Sequence, residues 1–199
     1  MLTRPFTRHA AAQGSELEAR LFRRQDTPGH DACRLILHEA ERRIEGAAVF
    51  TWGGMPTHLA YEAVAHEDWR TRYGRVRGWV GAHAIDVTIE LQASGEWLLN
   101  GARAPGLNGC VDVDLGFTPA TNLLQLRRIG LKIGEKAEVP VAWWDLDSRE
   151  LSLVQQSYER RSEQSYWYQS PRFGYEAMLE VDPSGFVLEY PGLWTVESG

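Results

Sequence analysis

The chain has little to build a disulfide framework from: among 199 residues only Cys33 and Cys110 carry thiols, enough for one bridge at most. Long apolar runs are missing as well. No stretch approaches the roughly 18 residues a membrane-spanning helix requires, so no membrane span is expected. Positive charge is in deficit, with 21 Lys and Arg against 27 Asp and Glu and a net charge of -6. That balance argues against a nucleic-acid partner, whose affinity would rest on phosphate neutralisation. Catalytic and nucleotide signatures are absent too: there is no H-E-x-x-H, Walker loop, G-x-S-x-G or G-x-G-x-x-G. The six histidines are scattered, and only His58 and His66 are near enough to consider together. Neither a metal nor a cofactor is expected. Arg4 and Arg8 are followed by no apolar segment of the secretory kind, so the cytoplasm is the expected compartment.

What remains is the composition of a soluble globular domain, 43% hydrophobic and 24% charged. Residues 1–30 stand apart, with five arginines against three acids, a possible short helix over 10–21 broken by Gly14-Ser15, and a closing Pro28-Gly29 turn. They are expected to form a loosely docked arm, with the domain proper over 31–199.

From Ala32 onward the period is mostly two. Ile85, Val87, Ile89 and Leu91 face one way, with Asp86, Thr88, Glu90 and Gln92 opposite; Phe173, Tyr175, Ala177, Leu179 and Val181 repeat the pattern. Turn pairs such as Gly53-Gly54, Ser94-Gly95, Asn100-Gly101 and Asn108-Gly109 separate the runs. Many short-linked strands without alternating helices give a mainly-β, antiparallel (α+β) fold. Val139–Trp144 is apolar on both faces and is expected to be covered on both. Asp145–Ser148 reads as a solvated turn.

One segment breaks the period. Thr118-Pro119 has the form of a helix start, Ala120, Leu123, Leu124 and Leu126 share one side of a 3.6-residue wheel, and Gly130 offers a stop. A helix of about three turns, buried on its apolar side, is expected. Just upstream, Asp112 and Asp114 share a strand face about 6.6 Å apart. Such a pair could act as acid and base, whereas strand alternation alone puts it on a solvent face. Arg127 falls inside the apolar arc of the wheel. If buried it needs a carboxylate, with Asp112 and Asp114 nearest and Asp86 a third candidate; if the helix ends early it reaches water. The expectation carried forward is a buried Arg127 paired with Asp112 or Asp114. Tyr158, Tyr166, Trp167, Tyr168, Phe173 and Tyr175 are mostly core, since each ring can bury roughly 150–250 Å².

Gly109-Cys110-Val111-Asp112-Val113-Asp114 followed by Thr118-Pro119-Ala120-Thr121-Asn122-Leu123-Leu124-Gln125-Leu126-Arg127-Arg128 resembles the signature of the bacterial family described as "putative glycolipid-binding". Tyr61 ahead of His66-Glu67-Asp68-Trp69, Gln156-Ser157-Tyr158 and Tyr166-Trp167-Tyr168 also look like it. The likeness spans about residues 29–195. It departs at Gln125-Leu126, where the family has Pro-Ile, and of Glu67 and Asp68 only Asp68 fits. The resemblance implies a large curved antiparallel sheet, a β-roll, around one central helix, remotely similar to periplasmic lipoprotein carriers. It also implies a homodimer, an acidic pocket and a role in glycolipid metabolism. On it rests a ligand site of Asp112, Asp114, Thr121, Asn122, Arg127 and Arg128, with Asp68 and Tyr61 behind. Three functions follow: a non-catalytic binder of a glycolipid or sugar-bearing amphiphile; a glycoside or ester hydrolase using Asp112 and Asp114; and a dimeric scaffold without a small ligand.

Overall fold

The computed structural model describes residues 16–38 and 40–197. Among the described residues the fold is mainly β, as expected, with one sheet of fifteen strands and a single α-helix. The strands are β1 (Glu16–Arg24), β2 (Gly29–His38), β3 (Glu41–Trp52), β4 (Met55–His66), β5 (Thr71–Val80), β6 (His83–Leu91), β7 (Trp97–Leu99) and β8 (Ala102–Ala104). After β9 (Asp112–Leu115) comes α1 (Asn122–Ile129), then β10 (Lys136–Trp144), β11 (Leu151–Arg160) and β12 (Ser165–Ser170). A single 3₁₀ turn (Pro171–Phe173) leads to β13 (Tyr175–Val181), β14 (Val187–Tyr190) and β15 (Trp194–Val196).

Neighbouring strands pair in the order β8-β7-β6-β5-β4-β3-β2-β1-β15-β14-β13-β12-β11-β10-β9. Two antiparallel meanders are thus stitched together by β1, which pairs with β2 on one side and β15 on the other. The arm expected from the sequence is corrected here. Residues 1–15 lie outside the described residues, but Glu16–Arg24 is the seam of the sheet. Its arginines hid the strand, because their charges are answered within the fold: Arg20 Nε donates to Asp182 at 2.8 Å and Arg24 Nε to Asp26 at 2.6 Å.

Among the described strands the one parallel pair is β9 with β10. Parallel neighbours need a crossover of a dozen or more residues, and the crossover is the segment that holds α1. The sheet curls until β9 lies against the start of β5. There Thr71 N–H donates to the Val111 carbonyl at 2.9 Å and Val113 N–H to the Thr71 hydroxyl at 2.8 Å. Inside the curl, Leu123 and Leu124 of α1 are fully buried in one core with Val113, Leu115, Val139, Val141 and Phe186.

Where sequence and structure differ, the cause is local. The α-helix begins at Asn122, one turn after Thr118, because 119–124 is joined by i→i+3 bonds from Asn122 N to Pro119 O and from Leu123 N to Ala120 O. Gly130 ends it at φ 52°. Alternation after β12 starts at Tyr175 rather than Phe173, which sits exposed on the 3₁₀ turn. Val139–Trp144 is indeed covered on both faces, and Asp145 closes a solvated turn by accepting from Asp147 N and Ser148 N, each at 2.9 Å.

Strands β4 and β5 approach too closely for a side chain at Gly78, whose added Cβ would stand 1.9 Å from the His58 carbonyl oxygen. Gly78→Ala should therefore lower stability by at least about 1–3 kcal/mol. An unchanged urea midpoint would show that the two strands can part without cost.

Candidate functional site

The residues singled out in the sequence fall into separate clusters around α1. Asp112, fully buried on β9, is gripped by Arg128, with Nε donating at 2.8 and 3.0 Å and Nη2 at 2.7 Å. Burial raises the Asp112 carboxyl against the opposing pull of that guanidinium. Arg127 is exposed, its guanidinium 5.2 Å from the Trp69 ring centre. The expected Arg127 pairing is thus corrected by one position. Asn122 to Leu126 are all buried, polar residues included, so the sheet wraps the first turns on every side. A wheel cannot then tell the core face from the rest. The leucine arc lost its meaning, and the residue facing back toward β9 is Arg128.

Asp114, 2% exposed, ends a chain of donors running in one direction. Asn122 Nδ2 donates to the Tyr158 hydroxyl at 3.0 Å, that hydroxyl to Gln156 Oε1 at 3.0 Å, and Gln156 Nε2 to Asp114 Oδ2 at 2.7 Å. Thr121 donates to the other oxygen at 3.1 Å and accepts from Leu115 N at 3.1 Å. Thr121 stands at the helix N-cap but spends its hydroxyl on β9 instead of on the helix. Burial pushes the Asp114 carboxyl up to about 6, with Gln156 and Thr121 holding it down.

Tyr61 belongs to a third cluster. Its hydroxyl donates to Asp31 Oδ2 at 2.8 Å, and Thr118 donates to the same oxygen while accepting from Ala120 N at 3.1 Å. Asp31 is fully buried and is likewise pushed up to about 6 by burial. Sequence reasoning missed it, though it lies in phase with buried Cys33 and Leu35 on β2. Gln156 was equally readable, in phase with Val154 and Tyr158. Asp68 is exposed in the β4–β5 turn, where it accepts from Arg70 N at 3.1 Å. That turn holds Trp69 at φ 68°, with Arg42 5.7 Å from its ring centre.

Three spaces among the described residues bear on these clusters. A cavity of about 60 Å³ lies beside Asp114, Asn122, Trp143, Tyr190 and Trp194, far below the roughly 300 Å³ at which small-molecule sites begin. On the outer face of β1–β5 runs a trough of about 710 Å³. Its floor is Leu21, Ala32, Ala47 and Ala60, which are consecutive cross-strand partners. Arg34, Glu45, Glu62, Arg75 and Arg77 flank it. A polar cleft of about 780 Å³ follows, between β5, β6 and the 110–111 segment, lined by His66, Arg70, Arg72, Tyr73, Thr88 and Glu90 among others.

A family described as "Putative glycolipid-binding" matches residues 20–196. The chain belongs to that family. A crystal structure of a DUF1089 family protein from Pseudomonas aeruginosa shares the fold, with TM-score 0.72, 98% of each chain covered and 23% identity. Among curated proteins none matches.

Removing one partner of a buried ion pair leaves the other uncompensated, at about 3–5 kcal/mol. Arg128→Ala should show a loss of that size in urea denaturation, and Arg127→Ala a loss of about 1 kcal/mol or less, the worth of an exposed cation–π contact. Equal losses would contradict the assignment. The pH response is a second check. An acid raised from its ordinary value near 3.8 to about 6 in the fold contributes stability that is full below about 3.8 and lost as pH rises through 6. Relative to Asp114→Asn, the native protein should lose on the order of 3 kcal/mol between pH 4 and 7. Parallel stability profiles would show that Asp114 does not titrate in that range.

Proposed function

We propose that this protein binds a glycolipid, or another sugar-bearing amphiphile, without turning it over. One observation carries the reading: an open apolar trough and a polar cleft lie side by side on the outer face of one sheet, matching the two halves of such a ligand. Membership of the family supports it. The description of that family names the ligand class, and nothing in it requires catalysis.

The carboxylate pair supports binding rather than hydrolysis. A glycosidase needs one carboxyl free to protonate the leaving group and another facing water or the sugar. Asp112 spends both oxygens on Arg128, and each oxygen of Asp114 already accepts a hydrogen bond. With Thr121 and Asn122, these acids hold α1 and β9 inside the curl. We assign them to that structural role, together with the Tyr61–Asp31–Thr118 cluster. A homodimer remains part of the proposal, and light scattering at micromolar concentration should give twice the 22.5 kDa chain mass.

Native mass spectrometry of the purified protein tests the function. The expected spectrum includes a species heavier by one amphiphile, released by organic solvent, while a panel of glycosides and esters stays intact after long incubation. Release of sugar or acid from that panel, lost in Asp114→Asn, would establish the hydrolase instead.

A further inference from the structure

We infer that two copies of this chain meet on the outer face of β1–β4, related by a two-fold axis running between β2 and β3, and that the trough is a covered seat only between them. This rests on the homodimer and amphiphile readings above and adds to them a surface, a symmetry and a roof.

The need for a roof comes from the trough itself. Its floor of Leu21, Ala32, Ala47 and Ala60 is exposed throughout, so an alkyl chain laid there touches protein on one side only. Leu21 is 43% exposed at one end of that row, and Val49 (56%) and Trp79 (43%) flank His58 in the next row of the same face. Large apolar side chains grouped on one face and left in water mark a contact surface. The charges beside the floor cancel, Arg34, Arg75 and Arg77 against Glu45, Glu62 and Asp86. A chain of net charge -6 can therefore approach its own copy here without the repulsion that its other surfaces carry.

Register selects the axis. Cross-strand pairing puts Leu21, Ala32, Ala47 and Ala60 at one level, and Ala19, Arg34, Glu45 and Glu62 at the next. A two-fold axis along the strands lays each level over its own reverse, which is what an isologous contact requires. Between β2 and β3 it sets Ala32 on the partner's Ala47, and Leu21 on the partner's Ala60, a large side chain against a small one. At the next level Arg34 comes opposite the partner's Glu45. Arg34 already donates to Glu45 of its own chain at 2.6 Å, so four charges of alternating sign close a ring across the axis. One strand further out Arg77 comes opposite the partner's Glu197, because Glu197 N–H donates to the Leu21 carbonyl and continues the first level. Moved one strand toward β4, the axis would set Glu45 on the partner's Glu62 and Arg34 on the partner's Arg75, like on like. Sheets packed face to face stand about 10 Å apart. Facing methyl groups do not fill that space, and they leave a slot for an alkyl chain, stopped at each end by Leu21.

Charge reversal tests the axis, read by sedimentation velocity at micromolar concentration. The native chain should run at twice 22.5 kDa. Arg34→Glu and Glu45→Arg should each weaken the dimer about tenfold or more, since each sets like charges opposite one another. An equimolar mixture of the two variants should regain the dimer as a heterodimer, because one copy then carries two acids and the other two bases. Arg34 and Glu45 are 51% and 31% exposed, so each variant should melt close to the native temperature. Titration calorimetry with dodecyl β-D-glucoside below its micelle concentration reads the roof. Native chain and mixture should bind it about tenfold or more tightly than either variant alone. A dimer that neither reversal weakens overturns the surface and leaves the homodimer and amphiphile readings standing. A mixture that stays monomeric overturns the axis. Monomeric variants that bind the glucoside as the native chain does overturn the roof alone. Dimers that bind no glucoside overturn the roof together with the amphiphile reading, and a native chain that is monomeric with and without glucoside overturns the whole inference.

Discussion

Everything inside the curl depends on how one short helix is tied to a sheet that surrounds it. An eight-residue helix is too short to be stable alone, and its first five residues, buried on every side, have no polar face to give to water. The chain answers with polar ties at both ends of the segment. Thr118 reaches Asp31 on β2, Thr121 reaches Asp114 on β9, Asn122 reaches Tyr158 on β11, and Arg128 reaches Asp112 on β9. These ties fix rotation and depth together, which leucines alone leave open because apolar contact is non-directional. A carboxylate left without such donors in this interior would cost several kcal/mol. The motif of acids, threonines, asparagine and arginine therefore reads first as the anchorage of α1.

The same anchorage explains the parallel pair. Once α1 is held within the curl, the chain that leaves it at Gly130 returns along β9 in the same direction, giving β10 its parallel neighbour. Contact between β9 and Thr71 then brings the far end of the order back against β5. Without β1 the two meanders would have no shared neighbour, so closure depends on a strand whose sequence looks like a charged arm.

Much of this was legible, and the failures have physical causes. The β6 pattern was plain because one face of that strand is buried and the other wet. Period two contains Gln156 and, carried one residue back from Ala32, Asp31, each in phase with core residues, but an isolated polar residue carries no sign of the partner that satisfies it. β1 was obscured because Arg20 and Arg24 find acids and rings within the fold, and paired charges look like solvated ones in a sequence. Choosing Arg127 over Arg128 was an error of method. A wheel assumes that burial has a side, and at α1 it has none until Leu126. The outer trough was the least legible part, since Ala32, Ala47 and Ala60 belong to three strands and become one floor only through cross-strand register.

That register also separates what holds the fold from what the fold offers. Along a strand, neighbours point to opposite faces, so β2, β3 and β4 each carry two independent lines of side chains. Inward go Cys33, Leu35, Ile44, Ala48, Leu59 and Tyr61; outward go Ala32, Ala47 and Ala60. The inward line is filled by α1 and by rings such as Phe117 and Trp144, leaving beside Asp114 only about 60 Å³. A carrier that kept its ligand inside would have to open that packed, hydrogen-bonded interior. One that used the outer line needs no opening, because the floor is already bare: small side chains at adjacent strand positions leave a concavity where larger ones would fill it. Substitutions on that face can then be made with little effect on the core. Under the proposed function, recognition and stability fall to alternate residues of the same strands.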